Sequence, residues 1–219
     1  MKGLKRFLAA LLAAVVIVGL ASPAQAEAAV TPKIKKVKVY DIDTDSNYAF
    51  LQVSTSGSGS TQGFEYKTYV NGKLKKSGSS TLWKSGGKVL CRAEIPAYTA
   101  CTVRVRVNRG GAWSKWSGYT AVVPPLKVTK MSTSGNSVIL KWKKMPGATD
   151  YVVSIKKRSD NKWKKIKTCK GSQTKIDISG YDFYVNYDVR MIARKKVGSK
   201  YTGSKRWQVG YFYRYKTYK

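Results

Sequence analysis

The sequence predicts an all-β protein in which two small β-sandwiches follow a cleaved signal peptide. Three observations predict this fold class. Short runs of alternating apolar and polar residues recur along the chain and are separated by turns rich in glycine, serine and asparagine. Two consecutive prolines, Pro124 and Pro125, divide these runs into nearly equal parts. Beyond the N-terminal residues, no segment has the apolar period of an amphipathic helix.

The N-terminal residues have the three parts of a secretory signal peptide. Residues 2–6 carry three cations, and residues 7–20 form an uninterrupted apolar run. Ala24 and Ala26 are the small residues that a signal peptidase recognises, which predicts cleavage after residue 26. The apolar run is short for a bilayer span, although a retained N-terminal anchor stays the alternative. We therefore expect residues 1–26 to be removed and the rest of the chain to be secreted.

Turn signals separate the strands in the order in which the chain runs. Asn71-Gly72 follows the alternating run 64–70 and predicts a two-residue hairpin turn. Val103, Val105 and Val107 alternate with arginines, the pattern of a half-buried strand whose cations face the solvent. The turn signals lie at Ser56–Gly59, Asn71–Gly72, Ser85–Gly87, Arg109–Gly111, Ser134–Asn136 and Pro146–Gly147.

The consecutive prolines predict the domain boundary. Two prolines in a row cannot donate ladder hydrogen bonds, so a strand ends there and a short, stiff joint begins. The resulting domains, residues 31–124 and 125–219, are each close in size to an immunoglobulin-like sandwich. Each domain also opens with a proline followed by an alternating strand.

The second domain carries aromatic residues in a characteristic order. Trp142 ends an alternating run, Pro146-Gly147 follows it, and Tyr151 and Tyr187 begin two later alternating runs. In this order the segment 125–219 resembles the fibronectin type III domain, with Tyr187 at the place of the tyrosine corner. The resemblance implies that Trp142 and Tyr187 pack in the core rather than contact a ligand.

The first domain resembles the same family less closely. Phe64–Tyr66 and Ile95–Pro96 fit the pattern, but Cys101 stands where the corner tyrosine is expected. Cys91 and Cys101 both fall on the inward side of their strands, so we predict a disulfide that bridges the two sheets. A bridge that closes so short a loop contributes about 3 kcal/mol. Cys169 is then the odd thiol, either buried or paired between chains.

Residues 113–117 read Trp-Ser-Lys-Trp-Ser and follow a strand on which Arg104 and Arg106 point outward. This motif resembles the tryptophan–serine box of fibronectin domains in cytokine receptors, where arginines interleave with the two tryptophans. The resemblance implies a structural ladder formed by Arg104, Arg106, Trp113 and Trp116. A guanidinium stacked on an indole contributes roughly 0.5–1 kcal/mol at an exposed site.

The resemblance to cytokine receptors stops at this motif. The four-cysteine pattern of the receptors' upstream domain is absent from the sequence. The second domain carries a faint echo of the motif, with Arg190 and Arg194 placed before Trp207.

The residues needed for catalysis are sparse. The chain has no histidine, the commonest general base and metal ligand, and its 11 acidic residues are scattered. Asp41, Asp43 and Asp45 alternate, but their segment lacks the further ligands of a calcium site, which favours turn capping or pairing with lysines. No Gly-x-Ser-x-Gly motif occurs, and the cysteine spacing does not suit zinc. We therefore expect no enzymatic activity, no metal and no cofactor.

The charge points to an anionic partner. The chain contains 42 lysines and arginines against 11 acids, and removing the three signal-peptide cations lowers its net charge from +31 to +28. Self-repulsion on this scale destabilises a compact state, and a partner of opposite sign relieves it. The alternative is that the positive charge only keeps the protein soluble, although acidic residues serve solubility better.

Cations and aromatic rings alternate in several segments, which suits a polyanion whose bases or sugars stack on the rings. The strongest segment is a predicted hairpin whose arms are both basic. Its candidate polyanion-binding residues are Lys156, Lys157, Arg158, Lys162, Trp163, Lys164, Lys165 and Lys167. Similar segments lie at residues 33–38, 73–76 and 211–219.

The sequence therefore predicts a non-catalytic secreted protein for binding or adhesion, retained on an anionic cell envelope or matrix by distributed charge. Its expected partner is an anionic polymer such as a cell-wall glycopolymer. The short, alanine-rich signal peptide and the likeness of the second domain to bacterial fibronectin repeats favour a bacterial origin. A sequence-independent binder of extracellular nucleic acid, a carbohydrate-binding module, a protein-binding module and a spacer stay open as alternatives.

Overall fold

The computed structural model describes residues 31–57, 60–80, 82–85, 88–134, 137–182, 184–204 and 208–213. In these ranges the chain forms β-strands and no helix, which confirms the predicted all-β class. Accordingly, none of the described residues belongs to a helix long and apolar enough to cross a membrane. The predicted signal peptide (residues 1–26), Trp207 and the end of the basic tail (residues 214–219) lie outside the described residues.

The first nine strands form two antiparallel sheets that enclose one core. One sheet has the order β1-β2-β6-β5, and the other has the order β4-β3-β7-β8 with β9 also paired to β7. Leu51, Phe64, Cys91 and Val105 are among the buried side chains that both sheets contribute. The strands are β1 (Lys33–Asp43), β2 (Tyr48–Ser56), β3 (Thr61–Val70), β4 (Lys73–Ser80), β5 (Trp83–Ser85), β6 (Lys88–Glu94), β7 (Cys101–Arg109), β8 (Ala112–Trp113) and β9 (Thr120–Val122).

The remaining eight strands repeat this arrangement. One sheet has the order β10-β11-β14, and the other has the order β13-β12-β15-β16 with β17 also paired to β15. Their common core includes Leu140, Trp142, Tyr151 and Met191. The strands are β10 (Val128–Ser134), β11 (Ser137–Trp142), β12 (Asp150–Lys157), β13 (Lys164–Lys170), β14 (Lys175–Ser179), β15 (Asn186–Val197), β16 (Lys200–Gly203) and β17 (Gln208–Tyr213).

Local sequence signals account for the central strands and their turns. Val103, Val105 and Val107 are buried while the arginines between them are only partly so, which confirms the predicted half-buried strand β7. The hairpin β3–β4 turns at Asn71-Gly72, where both residues have positive φ angles of 48° and 79°. Two consecutive positive φ angles define the type I′ turn that this dipeptide favours.

The aromatic residues of the fibronectin resemblance lie in the second core. Trp142 and Tyr187 are only 3% and 5% exposed, which confirms their predicted place. The Tyr187 hydroxyl donates a hydrogen bond to Asp182 Oδ2 at 3.1 Å, and the Tyr187 ring stacks on Phe212 with centroids 5.2 Å apart. Burial raises the pKa of Tyr187 above its ordinary value, which keeps the donating proton on the hydroxyl.

Hydrogen bonds, including two made by the Tyr98 side chain, join the two sandwiches. The Ala100 amide donates to the Pro146 carbonyl at 2.9 Å. The Tyr98 hydroxyl donates to the Lys143 carbonyl at 2.9 Å and accepts from the Lys127 amide at 3.0 Å. Ala100 is itself buried within the core of the second sandwich, and residues 31–219 form one compact unit. The boundary between residues 124 and 125 stays a prediction.

The disulfide between Cys91 and Cys101 stays a prediction. Both residues are buried as predicted, but they and Cys169 are free thiols, and all three cysteines lie in the described ranges. Cys91 lies on β6 and Cys101 on β7, strands of facing sheets. The Cys91 thiol instead donates to the Leu51 carbonyl of its own sheet at 3.4 Å.

Candidate functional site

The tryptophan–serine segment forms an irregular edge along β7. The Ser114 amide donates to the Val107 carbonyl at 2.8 Å, and the Ser114 hydroxyl accepts from the Val107 amide at 3.0 Å. Ser117 makes the same pair of bonds with Val105, at 2.8 and 3.0 Å. The two serine hydroxyls therefore replace the carbonyls of a regular neighbouring strand, and they satisfy amides that burial would otherwise leave without partners.

Arg106 is the centre of the stacked cluster in the first sandwich. Its guanidinium carbon lies 4.9 Å from the ring centroid of Trp113 and 5.1 Å from that of Trp116. Its Nε donates to Glu65 Oε2 at 2.7 Å, and Lys67 covers the Trp116 ring at 4.9 Å. Cations thus lie over both tryptophans, and the carboxylate fixes the orientation of the central guanidinium.

Arg104 lies beside this cluster and contacts a different ring from the one predicted. Its guanidinium carbon lies 5.1 Å from the Tyr119 centroid, and its Nε donates to the Ser117 carbonyl at 2.7 Å. Sequence reasoning missed Tyr119 and Lys67. The signals that could have found them are the position of Tyr119 just after the motif and the pairing of Lys67 with Arg104 across β3 and β7.

The second sandwich carries a comparable set of stacked cations on the sheet that contains β15. Arg190 lies 4.4 Å from the Trp163 centroid, and Arg194 lies 4.3 Å from the Tyr201 centroid. The predicted partner of these arginines was Trp207, which is outside the described residues, whereas Trp163 and Tyr201 were not anticipated in this role. The other stacked cations of this surface are Lys156 on Trp163, Lys196 on Tyr201 and Arg158 on Tyr211.

Carboxylates fix several cations of this surface. Arg194 and Asp150 form a two-pronged pair with both N–O distances at 2.7 Å, and the carboxylate raises the pKa of Arg194. Asp188 contacts Lys156 at 3.7 Å and Arg158 at 3.8 Å. A two-pronged, nearly buried pair holds its arginine more firmly than the longer contacts hold their cations.

The predicted polyanion-binding residues fall into two groups. Lys156, Lys157 and Arg158 are engaged by the protein itself, since Lys157 contacts Asp182 at 3.3 Å and the other two contact Asp188. Trp163 is partly buried beneath Arg190 and Lys156, so its ring is not an open stacking platform. The second group is exposed and has no ion pair with any carboxylate in the described ranges: Lys162, Lys164, Lys165 and Lys167.

The alternating acids of the first sandwich shape a turn. Asp43 Oδ1 accepts hydrogen bonds from the amides of Asp45 at 3.0 Å and Ser46 at 3.1 Å. The bonds from Ser46 lower the pKa of Asp43, because they favour its charged form. Within the described ranges, no group of three or more histidine, cysteine or acidic side chains is placed to hold a metal ion.

No protein-family model matches the chain, and no curated protein sequence matches it. Among solved structures, a segment of two fibronectin type III domains from chicken tenascin is similar over 82% of this chain and 98% of its own, with 17% identity and a TM-score of 0.43. A cytokine receptor complex is similar over 81% of this chain and 96% of its own chain, with 18% identity and a TM-score of 0.47. The fold is defined by the strand order of the two sheet pairs and not by these likenesses.

Proposed function

We propose that this chain is a secreted, non-catalytic binding protein that its basic surface retains on an anionic bacterial cell envelope or matrix. The observation that carries this proposal is the excess of 42 lysines and arginines over 11 acids. Such an excess creates a positive potential that attracts polyanions and weakens as salt screens it.

The distribution of acids and lysines supports the proposal. Glu65, Asp150 and Asp188 pair with cations on the central sheets, so they are already engaged within the protein. The edge strands β4 and β13 are rich in exposed lysines. Lysines on an edge also prevent pairing with other sheets, but the net charge far exceeds what that role needs. Lys76 on β4 pairs with Glu94, and the other lysines of these two strands have no ion pair with a carboxylate in the described ranges.

The stacked clusters favour charge over aromatic recognition as the main attraction. Trp113, Trp116 and Trp163 each have a cation over the ring. A base or a sugar that stacked on the same face would have to displace that cation. Nucleic-acid binding through distributed charge would contact the phosphate backbone and would be independent of sequence.

The test is a pull-down of residues 27–219 on purified bacterial cell walls, with and without their anionic glycopolymers, across a salt series and with duplex DNA as competitor. We expect binding that requires the glycopolymer and falls steadily with salt. Equal binding to stripped walls would instead indicate recognition of neutral sugar, and preferential release by DNA would indicate a nucleic-acid binder. Absence of binding to either kind of wall would indicate that the protein serves only as a spacer.

A separate measurement tests whether the protein is secreted. We expect the protein from expressing bacteria to be recovered outside the cytoplasm with residue 27 as its first residue, because cleavage is predicted between Ala26 and Glu27. N-terminal sequencing of the recovered protein reads this directly. An intact Met1 on protein in the membrane fraction would show a retained anchor instead.

A further inference from the structure

A groove lies between the ends of the two sheets of the first sandwich. Its volume is about 720 Å³, and its lining comes from β2, β5 and β6 together with the beginning of β3 and the end of β7. β7 begins at Cys101, next to the contact with the second sandwich, and ends at Arg109 in the groove. A nine-residue strand spans roughly 27 Å, which places the groove at the end of the first sandwich remote from that contact.

Hydroxyl groups and cations share the lining of this groove. Residues 54–55 and 60–61 contribute four serine and threonine side chains. Lys84, Lys88 and Arg109 contribute three positive charges, and no acidic residue belongs to the described lining. Arg109 Nη1 donates to Thr55 Oγ1 at 3.3 Å, a contact that links the two sheets across the groove.

An indole completes the lining. Trp83 packs edge to face against Phe50, with ring centroids 5.6 Å apart and an interplanar angle of 84°. Unlike the tryptophans of the stacked clusters, Trp83 has no cation over its ring among the described contacts. An indole held from one side by another ring is a firm apolar surface for a flat ligand.

We propose that this groove binds a short segment of an anionic saccharide. The hydroxyls pair with sugar hydroxyls, the indole packs against a sugar ring, and the three cations neutralise a phosphate or carboxylate on the saccharide. The volume lies within the range of roughly 300–1,000 Å³ that small-ligand sites occupy. Inorganic phosphate would use only the cations, whereas a neutral sugar would use only the hydroxyls and the indole.

The inference rests on the proposed envelope function and makes it more specific. Distributed lysines hold the protein near any polyanion, and the groove adds a preference for one that carries sugar. The Lys84→Gln/Lys88→Gln variant tests this, because both residues are exposed and their loss leaves the core unchanged. Lys73→Gln/Lys75→Gln on the exposed edge strand β4 removes the same charge away from the groove and serves as the matched control.

The first measurement is titration of residues 27–219 with a phosphorylated disaccharide, its unphosphorylated parent and inorganic phosphate, followed by NMR of the backbone amides. We expect the phosphorylated disaccharide to bind most tightly and to shift signals of residues 54–55 and 83–84. The groove variant should raise its Kd about tenfold or more, since each lost charged hydrogen bond costs that order, while the control changes it less than about twofold. Shifts confined to other surfaces, or equal losses in the two variants, would overturn the proposal.

The second measurement separates this inference from the function on which it rests. The same three proteins are titrated with the purified anionic glycopolymer of the cell wall. Tight binding that both variants weaken equally would refute the groove and leave envelope retention standing. Failure of the unsubstituted protein to bind the polymer would refute envelope retention, and the disaccharide titration would still decide whether the groove binds its ligand.

Discussion

The substitution Gly147→Ala tests whether a close backbone contact holds the two sandwiches together. The φ angle of Gly147 is +76°, and a Cβ added there would overlap the Ala100 carbonyl oxygen. The neighbouring Pro146 carbonyl accepts from the Ala100 amide at 2.9 Å, and Lys195 Nζ donates to the Gly147 carbonyl at 2.7 Å. Gly147→Ala therefore adds a methyl group at the point where the second sandwich meets the first.

Two costs combine in this variant. An alanine held in the left-handed region costs roughly 1–2 kcal/mol. Relief of the overlap moves Pro146 and Ala100 apart and removes their hydrogen bond, which costs about 0.5–1.5 kcal/mol more. The expected loss is about 1.5–3.5 kcal/mol in the free energy of unfolding. For a chain of this size, that loss lowers Tm by roughly 3–14 °C.

A second glycine separates the two costs. Gly72 has a nearly equal φ of +79°, but an added Cβ would meet no atom within 4 Å. Gly72→Ala should therefore show the conformational cost alone, and Gly147→Ala should be less stable than Gly72→Ala in thermal and urea unfolding. Equal losses in the two variants would show that Ala100 and Gly147 do not hold the sandwiches together, and would refute the reasoning.

Four further predictions concern single contacts. Ser117→Ala should lower the free energy of unfolding in urea by about 1–3 kcal/mol, because the buried Val105 amide loses its acceptor. Ser117→Thr keeps the hydroxyl and should recover most of that loss, whereas an alanine variant of unchanged stability would contradict this. Arg106→Lys should lower stability by about 1 kcal/mol, since it keeps the charge but loses the stacked plane, and an unchanged urea midpoint would show that the plane is dispensable. Cys91 and Cys101 should form a bridge under a mild oxidant, seen as a loss of two hydrogens in mass spectra and as a raised Tm in thermal unfolding; persistence of both alkylatable thiols would reject the bridge. Hydrogen bonds from Tyr187 and Lys157 lower the pKa of Asp182 below its ordinary 3.8, so the stability that the ionised carboxylate contributes is present above pH 3.8 and is lost as the pH falls through the lowered pKa. In Asp182→Asn the urea midpoint should therefore fall less on acidification than in the unsubstituted protein, and an identical pH profile would contradict the assignment.

The sequence alone predicted the features that depend on neighbouring residues. Alternation in β7 and the Asn71-Gly72 turn follow from local backbone preferences, and both are present in the structure. Trp142 and Tyr187 were expected in the core because their order along the chain resembles that of fibronectin type III domains, and both lie in the second core.

Features that depend on register across strands were harder to predict. Lys67 reaches the tryptophan cluster because it lies opposite Arg104 in the β3–β7 pairing, whose register shifts between Thr61 and Gly63. The alternation of inward and outward residues along each strand placed Cys91 and Cys101 on inward faces, but this alternation does not give the distance between facing sheets. The contact between Ala100 and Gly147 joins residues far apart in the chain, so only the folded structure shows it.

Arginines and lysines occupy different places in this fold, and the difference separates stability from binding. The stacked arginines lie on the central strands β7 and β15, where rings and carboxylates hold them: Arg104, Arg106, Arg190 and Arg194. Exposed lysines recur on the edge strands β1, β4 and β13. A planar guanidinium suits stacking, whereas a hydrated ammonium on a flexible stem suits loose contact with a polyanion. Replacing the ladder arginines with lysine should therefore lower stability and spare polyanion binding, whereas replacing edge lysines with glutamine should do the reverse.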